Sequence, residues 1–381
     1  MAIDINGFCD DRFAAVKDVM RNNLETGADV GASFAATIDG EMVVDIWGGH
    51  LDEAKVQPWQ EDSIVNVWST TKTMSFLCAL ILADRGELDF DAPVAKYWPE
   101  FSQNGKDGVL VWHIMNHAAG LSGLDKPLAP GDIYNWEKMT KLLAQQTPWW
   151  EPGSATGYHA LTQGYLIGEV VRRITGKSIG QFFREEVAQP LDADFSIGVP
   201  DADLLRIGDM LAVDNAGALG GDEEVGSIAQ RTFLSPAPKA KDSLTREWRQ
   251  AEIPAANGHG NARSVAKIHS VLACGGSACG VELLSSATAK SIMKPRISGT
   301  DMVLGMPLTF GLGFGLNSEA VPLSPNANTC FWAGWGGSIA IIDQDAKLSM
   351  SFAMNNMFPT LLGDPRAFGF IGAMYEALAE T

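Results

Sequence analysis

The 381-residue sequence predicts an α/β (α+β) fold in which one sheet takes strands from both ends of the chain and a helical region fills the middle. Three observations carry this. Residues 32–47 read as two strands joined by Asp39-Gly40, a pair suited to a tight hairpin because both positions tolerate positive φ. Residues 331–333, 338–342 and 348–354 return to strand pattern near the other end, with a turn at 343–346. Between them, from about residue 90 to 260, helical spacings and long loops dominate. These signals place a discontinuous, sheet-bearing domain at 1–90 and 255–381 and a mainly helical domain at 91–254.

The first element is a helix over 10–24, where Phe13, Val16, Met20 and Leu24 recur at helical spacing and aspartates sit at the favourable start. After the hairpin, the stretch Val65, Asn66, Val67, Trp68 delivers Ser69 to the start of an apolar helix. That helix runs through Met74, Phe76, Leu77, Leu80, Ile81 and Leu82, and Gly86 stops it. In the middle, residues 163–174 read as a helix closed by Gly176. A last helix over 367–379 ends the chain.

With 46% hydrophobic and 19% charged residues, the chain has the profile of a globular protein with a substantial core. No run of about 18 apolar residues occurs, so no membrane span is expected. The opening residues MAIDINGF lack the basic and apolar regions of a secretory leader. Five cysteines (Cys9, Cys78, Cys274, Cys279 and Cys330) form no CxxC pair, and an odd number suits a reducing compartment. A cytoplasmic location is the expectation. The net charge of −18 argues against nucleic acid and anionic membranes as partners.

Three motifs bear chemistry. In Ser69-x-x-Lys72 the hydroxyl and the amine share a helix face, and a desolvated lysine is a base able to take the serine proton. The free N–H groups of a helix start suit a developing oxyanion. Tyr158 follows the turn-rich loop 152–157, where a phenol can pass protons between nucleophile, leaving group and water. In AGWGGS at 333–338, glycines permit close backbone approach, and the N–H of Ser338 stands as a second oxyanion donor opposite that of Ser69. Each motif also has an ordinary structural reading: helix cap, packed aromatic, turn before a strand. Other patterns are decoys. GKSIG at 176–180 follows a helix rather than a strand, so the setting of a nucleophile elbow is missing. His113 and His117 are four apart, but Ile114 stands where a zinc protease needs glutamate, so they are expected to tether loops and no metal is expected.

Taken in this order, the motifs resemble the serine β-lactamase and penicillin-binding-protein superfamily, closest to its class C-like branch and, within it, the family VIII carboxylesterases. DRGELDFD at 84–91, MNHAAGL at 115–121, Pro152-Gly153 and NARS at 261–264 support the likeness, which spans nearly the whole chain. The resemblance implies an antiparallel sheet flanked by helices plus an all-helical region, class C β-lactamase-like, with the site in the cleft between them. It implies that Ser69 is acylated, that Lys72 and Tyr158 handle its proton, and that Ser69 and Ser338 form the oxyanion hole. Trp335-Gly336-Gly337 takes the place of Lys-Thr-Gly. Two departures set the expected specificity. Ala160 stands where the lactamases carry an amide-binding asparagine, and Trp335 replaces the lysine that meets a β-lactam carboxylate. Trp68, Trp149, Trp150 and Trp335, with Gly336, Gly337 and His159, are the candidate substrate-binding residues. The expected activity is cofactor-free hydrolysis of small carboxylic esters with short or medium acyl groups. An acyltransferase, a β-lactamase or D-amino-acid peptidase, and a non-catalytic binding protein are the competing readings.

Overall fold

A computed structural model describes residues 4–212 and 224–380. Its main feature is a nine-stranded sheet, all of whose neighbours pair antiparallel. In chain order the strands are β1 (Ile5–Cys9), β2 (Gly31–Ile38), β3 (Glu41–Gly49), β4 (Ile297–Thr300), β5 (Pro307–Phe310), β6 (Gly315–Leu316), β7 (Thr329–Ala333), β8 (Ile339–Asp343) and β9 (Leu348–Met354). They lie in the order β1-β3-β2-β9-β8-β7-β6-β5-β4, so the N-terminal hairpin joins the C-terminal meander through the β2–β9 pairing. The hairpin turn is as the sequence indicates, with positive φ at Asp39 and Gly40.

Alternation along β2 sorts the two faces. Phe34 lies opposite Phe352 and stacks at 4.6 Å on Phe370 of the C-terminal helix Pro365–Ala379, which packs beside the first helix, Ala14–Glu25. Ser33 faces the other way and accepts from the N–H of Ala262, at the start of the helix Ala262–Ala273. Beyond that face runs the helix Lys72–Asp84, buried at every residue from Lys72 to Leu82. A helix apolar all round belongs inside a protein, and this one packs against Thr162–Thr175 of the middle region. Gly176, with φ 74°, ends that second helix as expected.

Two features go beyond what the sequence showed. The middle region is not purely helical: Phe195–Ile197 pairs with Gly258–Gly260, which pairs in turn with Val65–Asn66 just before Ser69. Two or three residues with glycines carry too little periodicity to be read, and the Phe195 ring lies close over both glycines. The serine also sits in a 3-10 turn, Trp68–Thr71, and the α-helix proper begins at Lys72.

Candidate active site

The small three-stranded sheet holds the turn that carries Ser69. Val67 N–H donates to Gly258 O at 2.9 Å, and Gly258 N–H donates back to Thr71 Oγ1 at 2.8 Å. Trp68, immediately before the serine, has φ 46°, a left-handed conformation costly for a bulky residue. Its buried ring is clamped between Trp248 at 5.2 Å and Trp335 at 4.9 Å, and these contacts offset the strain.

One helical turn on, Lys72 is fully buried. Its Nζ lies 3.1 Å from Ser69 Oγ and 3.0 Å from the Tyr158 hydroxyl. It donates to two backbone carbonyls as well, Ala160 O at 2.7 Å and Ala255 O at 2.9 Å. Among the described residues no carboxylate is a hydrogen-bond partner of this amine, and burial pushes its pKa well below the ordinary lysine value. Tyr158 Oη closes the triangle with a short hydrogen bond to Ser69 Oγ. Burial raises the tyrosine's pKa far enough to keep the phenol protonated. Its ring is packed against His117 at 5.0 Å and Trp332 at 5.6 Å. Three residues from sites 86 or more positions apart, or one helical turn apart, thus share one set of hydrogen bonds.

The 334–338 turn lies against the serine. A side chain at Gly334 would collide with the Val67 carbonyl and sit 3.2 Å from Ser69 N, so only glycine permits this approach. Ser338 directs its hydroxyl to Val67 O at 2.7 Å and to Thr70 Oγ1 at 2.9 Å. Behind the turn, the buried Arg366 guanidinium, paired with Asp364 and Asp29, donates to Gly336 O at 2.8 Å. Gly337, at φ 128°, leaves no room for a Cβ against Asp364.

The remaining candidates fall one layer away. His159 is fully buried, with Nε2 accepting from Leu121 N–H at 3.0 Å and Nδ1 donating to Gly157 O at 2.6 Å. Trp150 covers Gly157, stands 5.7 Å from the His159 ring, and donates to Ala155 O at 3.0 Å. Both brace the loop that ends in Tyr158. Trp149 turns instead to Arg231, 3.9 Å above its ring, and to Asp125. His113 Nδ1 accepts from Leu110 N–H and His117 Nδ1 from His159 N–H. Among the described residues no group of His, Cys, Asp and Glu is arranged to hold a metal. Ser178 caps the helix Ile179–Phe183 and donates to Glu252 Oε1 at 2.6 Å. Among the described residues no helix is long and apolar enough to cross a membrane.

Sequence reasoning missed Trp248, the Ala255 carbonyl and Asp301, whose carboxylate accepts from the Tyr158 N–H. A backbone acceptor has no signature in a sequence. Asp301 lies 143 positions from the residue it holds.

Comparison with known proteins gives four likenesses over nearly the full chain. Residues 16–368 match the family described as Beta-lactamase. The Esterase/beta-lactamase LipL of Mycobacterium tuberculosis is 33% identical over 380 residues, covering 96% of this chain and 86% of that protein. Among solved structures, a family VIII carboxylesterase superposes with TM-score 0.92 at 39% identity, over 98% of this chain and all of that one. A penicillin-binding protein homolog from Caulobacter crescentus superposes with TM-score 0.92 at 38% identity and the same coverage.

Proposed function

The chain belongs to the beta-lactamase family, and within it we propose that this protein is a serine carboxylesterase acting through an acyl-enzyme on Ser69. The observation that carries the proposal is the convergence of Ser69, Lys72 and Tyr158 around a lysine whose amine also meets two carbonyls. A neutral amine has two hydrogens. Donated to Ala160 O and Ala255 O, they leave the lone pair facing Ser69 and Tyr158, the orientation a general base needs.

The reaction follows from that arrangement. Ser69 Oγ attacks the ester carbonyl while its proton passes to Lys72, directly or through Tyr158. The tetrahedral oxyanion is held by the N–H groups of Ser69 and Ser338. The intermediate collapses, the C–O bond to the alcohol breaks, and the alkoxide leaves with the proton returned through Tyr158. Water then enters, loses a proton to the same pair and attacks the acyl carbon. The acid departs and Ser69 regains its proton. No cofactor enters any step. The five free cysteines support a cytoplasmic setting for the enzyme.

Neutral esters with short or medium acyl groups are the proposed substrates. Trp335, packed on Trp68, presents an aromatic surface where a lactamase would offer a cation, and Ala160 offers a methyl in place of an amide. Both disfavour the lactamase or peptidase reading. An acyltransferase differs only in the acceptor: an alcohol takes the place of water. The test is mass spectrometry after brief reaction with a p-nitrophenyl ester, with and without added alcohols. An acyl adduct on the Ser69 peptide and acid as the main product support the esterase. Transesterified product in dilute alcohol favours the transferase, and no adduct with no turnover favours a binding protein.

A further inference from the structure

Tyr158 ends a turn-rich loop, 152–157, yet its hydroxyl must be held against both Ser69 and Lys72. A distant segment supplies the anchor. Asp301 is fully buried, and its Oδ1 accepts the N–H of Tyr158 at 3.0 Å. The same oxygen takes the N–H groups of Val303 and Leu304, each at 2.9 Å, and Asp301 O takes that of Gly305 at 2.8 Å. Met302 N–H donates to Thr156 O at 2.9 Å, so two hydrogen bonds strap the tyrosine loop to a self-closed turn. Among the described residues no cation pairs with Asp301, and its Oδ2 has no hydrogen-bond partner.

A buried carboxylate with one oxygen saturated and the other bare costs stability that a serine, asparagine or apolar residue would not. We propose that Asp301 is the positioning residue of the proton relay, fixing the Tyr158 backbone so that the phenol stays within reach of both Ser69 and Lys72. It touches neither substrate nor the reacting atoms. It acts through Tyr158, and so it rests on the role proposed for that residue. Burial is the main cause of the raised Tyr158 pKa, and the nearby Asp301 carboxylate adds to it in the same direction, which favours a phenol able to give a proton.

The test is a double-mutant cycle with p-nitrophenyl butyrate on variants whose folding is checked by circular dichroism. Asp301→Ala frees the loop, and kcat falls by about 10²-fold, the scale of a misplacement near 1 Å, with KM little changed. Asp301→Asn keeps an acceptor oxygen, so it recovers most of that loss and stays folded even where the alanine variant does not. In a Tyr158→Phe background Asp301→Ala costs almost nothing further, because the group it positions is already gone. A merely structural role predicts the opposite: melting temperature falls, kcat of the folded fraction holds, and the fall in melting temperature is the same in the Tyr158→Phe background. Tyr158→Phe with near-parental kcat overturns the tyrosine's role and this proposal with it. An inactive Tyr158→Phe beside fully active Asp301→Ala or equally impaired Asp301→Asn and Asp301→Ala overturns this proposal alone.

Discussion

The Nζ of Lys72 stands 3.0 Å from the Tyr158 hydroxyl, and burial acts on the two in opposite senses, lowering the lysine's pKa and raising the tyrosine's. Both shifts favour the neutral forms around Ser69. A neutral amine is a base and a neutral phenol is an acid, so the pair can receive the serine's proton and deliver it to a leaving alkoxide.

The nucleophile is tested by two serines. Ser69→Ala abolishes esterase turnover and leaves the circular dichroism spectrum unchanged. Ser178→Ala removes a helix cap, costing about 1 kcal/mol of stability and no activity. A dead Ser178→Ala with an active Ser69→Ala contradicts the assignment.

Removing either proton-handling group lowers kcat far more than it changes KM. The expected loss in Lys72→Ala and in Tyr158→Phe is about 10²–10⁴-fold, the range of general acid–base catalysis. The double variant loses less than the product of the two, because they serve one relay. EDTA leaves the rate unchanged.

The pH profile follows from the same pair. In the proposed mechanism Lys72 works as the free base, so activity is expected above its depressed pKa and lost as pH falls through it. Tyr158 works protonated, and its raised pKa removes any alkaline limb near the ordinary tyrosine value. The acid limb therefore lies well below the pH at which an exposed lysine titrates. A rate that keeps climbing toward about pH 10, where an exposed lysine titrates, contradicts the buried neutral amine.

Stability falls in acid ahead of the carboxylates. Burial pushes His159 and His259 down to about 3 and His269 to about 4, against 6.5 in the unfolded chain. Among the described residues Nε2 of His259 and of His269 has no hydrogen-bond partner for an added proton. These depressed values give stability that is whole above pH 6.5 and shrinks as pH falls toward the folded values, by up to about 1.4 kcal/mol per unit per histidine. Asp29, raised by burial to about 6, and Asp45, also raised by burial, oppose this by preferring to be protonated in the fold. The melting temperature between pH 7.5 and 4.5 measures the balance. A net fall is expected, and a constant or rising value contradicts it.

Local chemistry explains what could be read from the sequence. Asp39-Gly40 announces its turn because few residues accept positive φ, and Ser69 and Lys72 announce themselves by helical spacing. Tyr158 needed the other motifs beside it to stand out from a packed aromatic. The rest depends on long-range contact. Ala255 contributes a carbonyl, which every residue has, and Trp248 matters through a ring against Trp68. The left-handed Trp68 breaks the preference of its own residue type, so no propensity argument reaches it. The strand Ile297–Thr300 lies at the sheet edge and Gly315–Leu316 is a two-residue strand inside it, both defined by pairing more than by pattern.

The central claim is acyl transfer from neutral esters by a site stripped of its lactam contacts, and one comparison tests it most directly. A charge-assisted hydrogen bond is worth about 1.5–3 kcal/mol, so losing the cation at Trp335 costs a β-lactam carboxylate about tenfold or more in kcat/KM, while a neutral ester loses nothing. The measurement is kcat/KM for p-nitrophenyl butyrate and for nitrocefin on one preparation. The expected result is a strong preference for the ester with at most slow nitrocefin turnover; a nitrocefin value equal to or above the ester's contradicts the account and makes the protein a lactamase.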